Sequence, residues 1–205
     1  MVDLRAYVFL DTLQEQLASY IGTTARGFLP LGGQASLFVE VAPGMEVNRL
    51  MDVALKATRV QPSMMVVERA FGSMELHSDS QGEVRQAGEA VLSALGAEEA
   101  GRRAPRVVSR QLVRRVDPHQ AQIINRQRYG SMLIPGQTLF ILEVEPAAYI
   151  ALAANEAEKA SAVTLVDVRL FGAYGRLYLG GEERDVEVGS QAALAAVEGI
   201  EGRAE

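Results

Sequence analysis

Cysteine and tryptophan are absent from this 205-residue chain, and it has only two histidines and seven prolines. The missing cysteine excludes disulfide scaffolds, thiolate metal sites and cysteine nucleophiles together. A two-histidine metal site would need His77 and His119 to converge with a carboxylate. One falls at a strand end and the other beside Pro118 in a loop, so surface histidines are the simpler expectation, with no metal and no cofactor. No apolar run reaches the ~18 residues of a membrane span. The first twenty residues also lack the basic flank and small-residue cleavage site of a signal peptide, so the expectation is a cytoplasmic protein without a membrane partner. Positive charge is in deficit, at 20 Lys and Arg against 26 Asp and Glu, which argues against a nucleic-acid binder. Glycine and proline are too few for a collagen-like or low-complexity chain, and a 48% hydrophobic content supports a packed core.

What is present is a repeat. Residues 33–43 read GQASLFVEVAP and residues 136–146 read GQTLFILEVEP, at an offset of 103. VVERAFG at 66–72 also answers VDVRLFG at 166–172, at an offset of 100, which implies a three-residue length difference between the blocks. The charged stretch 97–106, with Gly101 and Pro105, has no apolar period and separates the copies. Domains of 1–101 and 102–205 follow.

In copy one, Leu4 to Leu10 reads as a strand, Leu13 to Tyr20 as a short helix, and Ala35 to Val41 as a second strand. Val47, Leu50, Met51, Ala54 and Leu55 follow the spacing of an amphipathic helix. Met64 to Val67 and Phe71 to Leu76 read as strands meeting at a bend, and Gln81 to Leu95 as a helix closed by Gly96. Copy two repeats this order, with helices near Ala147–Ala160 and Gly189–Glu198. The class is α+β, two tandem domains each with an antiparallel sheet and helices packed against it.

Catalytic groups are sparse, and no Ser-His-acid set suggests itself. The glycine pairs in PLGGQ (30–34) and LGGEER (179–184) lack phosphate-loop spacing and read as turns. Glu40 and Glu143 recur in equivalent strands and mark a wet sheet face or an interface rather than a general acid. Arg102, Arg103, Arg106, Arg110, Arg114, Arg115, Arg126 and Arg128 crowd one stretch. They form either an anion patch or, the preferred reading, arginines paired with carboxylates of this chain or a neighbour. The only lysines, Lys56 and Lys159, sit at equivalent positions of the two copies. Chance on a solvated helix face explains this, as does a site that needs a slim, flexible ammonium.

The runs DVALKATRVQPSMMVVER (52–69) and EAEKASAVTLVDVR (156–169), with GAYGRLYLGGEERDVEVGSQAALAAVE (172–198), resemble the domains of bacterial microcompartment shell proteins. Because each copy first runs through a strand, a helix and another strand, the order resembles the circularly permuted version, in tandem. The resemblance implies a tandem ferredoxin-like fold and a structural shell tile, not an enzyme. Three chains would form a pseudohexagonal disc, with face-to-face stacking of two discs in the gated subclass. Hexameric and pentameric shell proteins are the implied partners, and small metabolites pass the pore. By position, Lys56 and Lys159 match the family's tile-edge lysine. Glu68, Arg69, Phe71, Gly72 and Ser73 of copy one, with Arg169, Phe171, Gly172 and Ala173 of copy two, match the pore bend. The gated subclass carries a Glu-Arg pair there, so Glu68 of one chain is expected to pair with Arg69 of the next, with Phe71 behind it. An ordinary strand-end ion pair is the simpler reading of the residues. Copy two has Val168 where this alignment puts Glu68 in copy one. A tandem ferredoxin-like small-ligand regulator is the alternative function.

Overall fold

Alternation of side chains along the strands and a 3.6-residue apolar stripe along the helices produce two sheets, each backed by helices. The structure is a computed structural model and describes residues 2–204. The first domain contains β1 (Asp3–Leu10), α1 (Glu15–Thr24), β2 (Ala35–Ala42), α2 (Glu46–Ala57), β3 (Gln61–Glu68), β4 (Phe71–Ser78) and α3 (Gln81–Leu95). The second contains β5 (Arg106–Val113), α4 (Pro118–Gln127), β6 (Thr138–Glu145), α5 (Ile150–Ala160), β7 (Thr164–Arg169), β8 (Gly175–Gly181) and α6 (Glu183–Glu198). The sheets are antiparallel, in the orders β1-β2-β4-β3 and β5-β6-β8-β7. This is the expected α+β class.

In β2, Leu37, Val39 and Val41 face one side and meet Val47, Leu50 and Ala54 of α2 and Val84, Ala87 and Val91 of α3 in one core. Leu55, expected on the same stripe, is exposed. The helix α3 begins at Ser80, whose side chain accepts from Glu83 N, and ends at Gly96 with φ +63°, the left-handed cap that glycine supplies at little cost.

Local chemistry corrects four expectations. His119 lies in the first turn of α4, because Asp117 accepts from His119 N and Pro118 occupies the first turn, where its fixed φ suits a helix. α6 starts at Glu183, six residues before Gly189, with Glu183 and Asp185 in its first turn, where acidic residues suit the helix dipole. Gly180 and Gly181 end β8 and form no turn, whereas Gly32 and Gly33 do turn. The fourth correction concerns the repeat. Val41 pairs Gly72 as Val144 pairs Gly175, and Val66 pairs Ser73 as Arg169 pairs Arg176. The offset of 103 therefore continues through the last strand. The apparent length difference arises because β3 and β4 zip two pairs further, to Glu68 opposite Phe71, while β7 and β8 stop at Arg169 opposite Arg176. The counterpart of Glu68 is Phe171 and that of Arg69 is Gly172. Val168 is instead a buried strand residue opposite Leu177.

Candidate functional site

The helix α1 reaches across to the second domain. Its Leu17, Ala18, Tyr20 and Ile21 join one core with Ala153, Ala154, Leu165 and Val168. Around this seam Gln14 N donates to Asn155 Oδ1 at 2.9 Å, and Tyr20 Oη to Asp167 Oδ1 at 2.9 Å. Glu158 accepts from Gln16 N at 2.7 Å and Leu17 N at 3.1 Å, satisfying free amides at the start of α1. Burial pushes the Glu158 carboxyl up from its ordinary value, and those two amides oppose the shift.

Glu40 belongs to the same contact. It is fully buried, accepts from Arg5 Nε at 2.7 Å, and takes Ala148 N of the second domain at 3.0 Å. Burial raises its carboxyl pKa, while Arg5 and the amide pull it back. Its counterpart Glu143 pairs with Arg176 at 2.6 Å on an open surface.

The two strand bends meet within the chain. A Cβ built on Gly172 would lie 3.3 Å from Glu68 Oε1, so the tip 68–70 of the first domain touches the loop 170–174 of the second. Arg69 has φ +53° and its counterpart Gly172 has φ +107°, so both turns need a left-handed residue at the same place. Glu68, Arg69 and Ala173 are exposed, and Phe171 is half-buried. Phe71 lies under the Arg5 guanidinium at 3.7 Å. Gly72 and Ser73 are buried within β4 behind the tip. Arg169 ends β7, its Nε 3.3 Å from Asp167 Oδ2. Among the described residues, Glu68 and Arg69 form no ion pair with each other.

Lys56 and Lys159 both stand on exposed helix faces, near Asp52 at 2.7 Å and Glu156 at 3.8 Å. Four of the clustered arginines pair with carboxylates of this chain: Arg102 with Glu99, Arg103 with Asp3, Arg106 with Glu145, and Arg114 with Glu183 and Glu187. His119 is exposed, but His77 is not the surface residue expected. It is fully buried, with Nδ1 3.1 Å from Glu75 Oε2, and Glu75 also accepts from Ser36 and Ser63. The positions 103 residues on are Leu139, Val166, Tyr178 and Gly180, so the second domain fills this place with apolar groups. Among the described residues no cluster is placed to hold a metal, and no helix is long and apolar enough to cross a membrane.

The seam residues were missed in the sequence, although a signal existed. At an offset of 103, Tyr20 becomes Ile123 and Asp167 is matched by Met64. A polar pair in one place answers an apolar pair in the other.

Residues 4–101 match a family model described as the CsoS1D N-terminal domain. The chain is 59% identical over 202 residues to the carboxysome shell protein CcmP of Synechococcus elongatus, covering 98% of this chain and 95% of that protein. It is 51% identical over 198 residues to the carboxysome shell protein CsoS1D of Hydrogenovibrio crunogenus, covering 96% and 97%. A solved fused permuted hexameric shell protein from the RMM microcompartment matches at TM-score 0.94 and 42% identity, covering 97% of this chain and all of that one. A double ringed trimeric shell protein from the same compartment matches at TM-score 0.95 and 40% identity over the full length of both. With relatives this similar along nearly the whole chain, the protein belongs to the family of carboxysome shell proteins that includes CcmP and CsoS1D, and it is a structural protein rather than an enzyme.

Proposed function

We propose that three chains close into a pseudohexagonal tile of a microcompartment shell, with a metabolite pore on the axis where the strand bends converge. The observation that supports this reading is an interface half used inside the chain and half left open. In the seam, α1 of the first domain seats on β7 and α5 of the second. The corresponding helix of the second domain, α4, leaves Ile123 61% exposed. The corresponding face of the first domain is an open groove lined by Met51, Met64, Met65 and Val67. Repeating the seam from one chain to the next brings Ile123 onto Met64, just as Tyr20 meets Asp167. Such a head-to-tail contact must either close as a ring or run on as a filament. Closure at three chains agrees with the trimeric shell protein that matches over the full length.

The ring gathers the tips 68–70 and the loops 170–174 about its axis. Swinging of the exposed Glu68 and Arg69 side chains opens or closes the passage. Lys56 and Lys159 face outward, toward hexameric and pentameric tiles of the shell. Phe28, Leu29 and Leu31 of the first domain are exposed, as are Met132 and Ile134 at equivalent positions of the second. Equivalent positions in a ring lie on one side of it, so this apolar rim is the surface on which two discs stack.

Native mass spectrometry tests the ring. A particle of three 22.1 kDa chains, or of six if stacked, is expected, and Ile123→Asp is expected to reduce it to monomers that remain folded. A wild-type monomer, or a trimer indifferent to Ile123→Asp, overturns the reading.

A further inference from the structure

A pocket of about 200 Å³ lies between the end of α4 and the strands β7 and β8, with Gln127, Arg128, Asp167, Arg169, Arg176 and Tyr178 in its wall beside the apolar Ile123 and Ile124. It is short of acceptors for its three guanidinium groups. Asp167 already takes Tyr20 Oη at 2.9 Å and Tyr129 N at 3.3 Å, leaving Arg169 a long contact at 3.3 Å. Arg176 is held by Glu143. Arg128 has a backbone contact to Asn125 O at 3.4 Å, and its buried Nε has no partner. A buried guanidinium N–H without an acceptor is costly, and a carboxylate satisfies several such donors at once.

The repeat identifies the carboxylate. Counting back 103 residues, the corresponding positions of the first domain are Thr24, Ala25, Met64, Val66, Ser73 and Glu75. Thr24, Ala25, Met64 and Val66 line the open groove described above, and one residue of the second domain, Phe171, lines it with them. The counterpart of Phe171 is Glu68. Pocket and occupant therefore change together: where the wall is mostly apolar, with Arg26 its one charged residue, the next domain presents a phenyl ring, and where the wall carries three arginines and one carboxylate the next domain presents a carboxylate.

We propose that Glu68 of a neighbouring chain enters the Arg128–Arg169 pocket, so that this charge cluster clasps each chain to the next beside the pore. The inference rests on the ring reading. It replaces the expected pairing of Glu68 with Arg69, whose own place across the boundary is over Phe171 of the adjacent chain. That contact is the counterpart of the one between Glu68 and Gly172 within the chain, and a guanidinium over an aromatic ring is favourable. Glu68 is then a latch, and releasing it from the arginines frees the tip to move.

The test uses the full-length chain. Native mass spectrometry first establishes whether the wild type is trimeric. The trimer dissociation constant is then measured for Glu68→Gln, Arg169→Gln and the double variant, with Glu68→Gln against Arg128→Gln as a second cycle. All three residues lie at the surface or pocket wall, so the monomer fold is retained. A coupling of about tenfold or more in either cycle is expected, and Arg169→Glu is expected to restore the assembly that Glu68→Arg weakens. A trimeric wild type whose variants combine additively, without charge-swap rescue, overturns the clasp and leaves the ring intact. A wild type that is not trimeric overturns both.

Discussion

At Gly72 the missing side chain provides closeness rather than backbone freedom. A Cβ there would strike the Gly44 carbonyl and lie 2.9 Å from Val47 Cβ, and Gly175 meets the Ala147 carbonyl in the same way. The left-handed residue of the bend is Arg69. Gly72→Ala is accordingly predicted to destabilise the fold by about 1–3 kcal/mol, seen as a lowered denaturation midpoint; an unchanged midpoint would mean that α2 shifts freely away. Glu40 makes a prediction of opposite character. Burial raises its folded pKa, so the native state keeps this proton to higher pH than the unfolded chain does. The stability it contributes is full below the unfolded value and is lost as pH rises through the raised one. Relative to Glu40→Gln, the wild type is predicted to lose stability as pH climbs above the ordinary glutamate value of about 4. Denaturant midpoints along that range check this, and the reverse trend would mean that the Arg5 pair outweighs burial. The repeated glutamates and lysines and the bend were legible as sequence features. The buried Glu75–His77 pair was not, because nothing local to a strand-end histidine shows that it will be buried beside a carboxylate.

Among the elements, α2 was legible because four of the five residues in its apolar stripe are buried. The fifth, Leu55, stands where Glu158 stands in the second domain, on the open half of the seam. The helix α4 was harder to read: apart from Ala121 its residues are not buried, so its apolar period is weak until a second chain is considered. The register of the last strands was misread because short motifs can match by accident at a shifted offset, whereas a ladder of paired residues cannot. The seam itself predicts a coupling. Tyr20→Ile leaves Asp167 without its hydroxyl donor, and Asp167→Met leaves Tyr20 Oη unsatisfied, each at a cost of about 1–3 kcal/mol. Made together, they reproduce the pairing proposed for Ile123 and Met64 between chains and are predicted to cost less than the sum. Purely additive losses in chemical denaturation would show that the two contacts are not interchangeable.

For the whole molecule, the prediction concerns tiling. Lys56→Ala with Lys159→Ala removes exposed ammonium groups, for which changes usually stay under ~0.5 kcal/mol. The trimer should therefore form normally while its incorporation into sheets with hexameric shell proteins falls. Normal co-assembly, scored by electron microscopy, would remove the edge role. The seam formed by α1 has a further consequence, in time. The apolar face of α1 is translated early, yet the elements it packs against, α5 and β7, appear only after the first domain is complete. At the usual ~5–20 residues per second, the roughly 70 residues from Gly101 to the end of β7 take on the order of ten seconds. Throughout that interval the apolar face of α1 has no partner within its own chain. The second domain of any other copy of the chain presents the same surface. A chain captured this way would sit in a ring of unchanged outline with its linker crossed to the wrong partner, so the length of the 97–106 connection sets how often synthesis yields separate trimers rather than entangled ones.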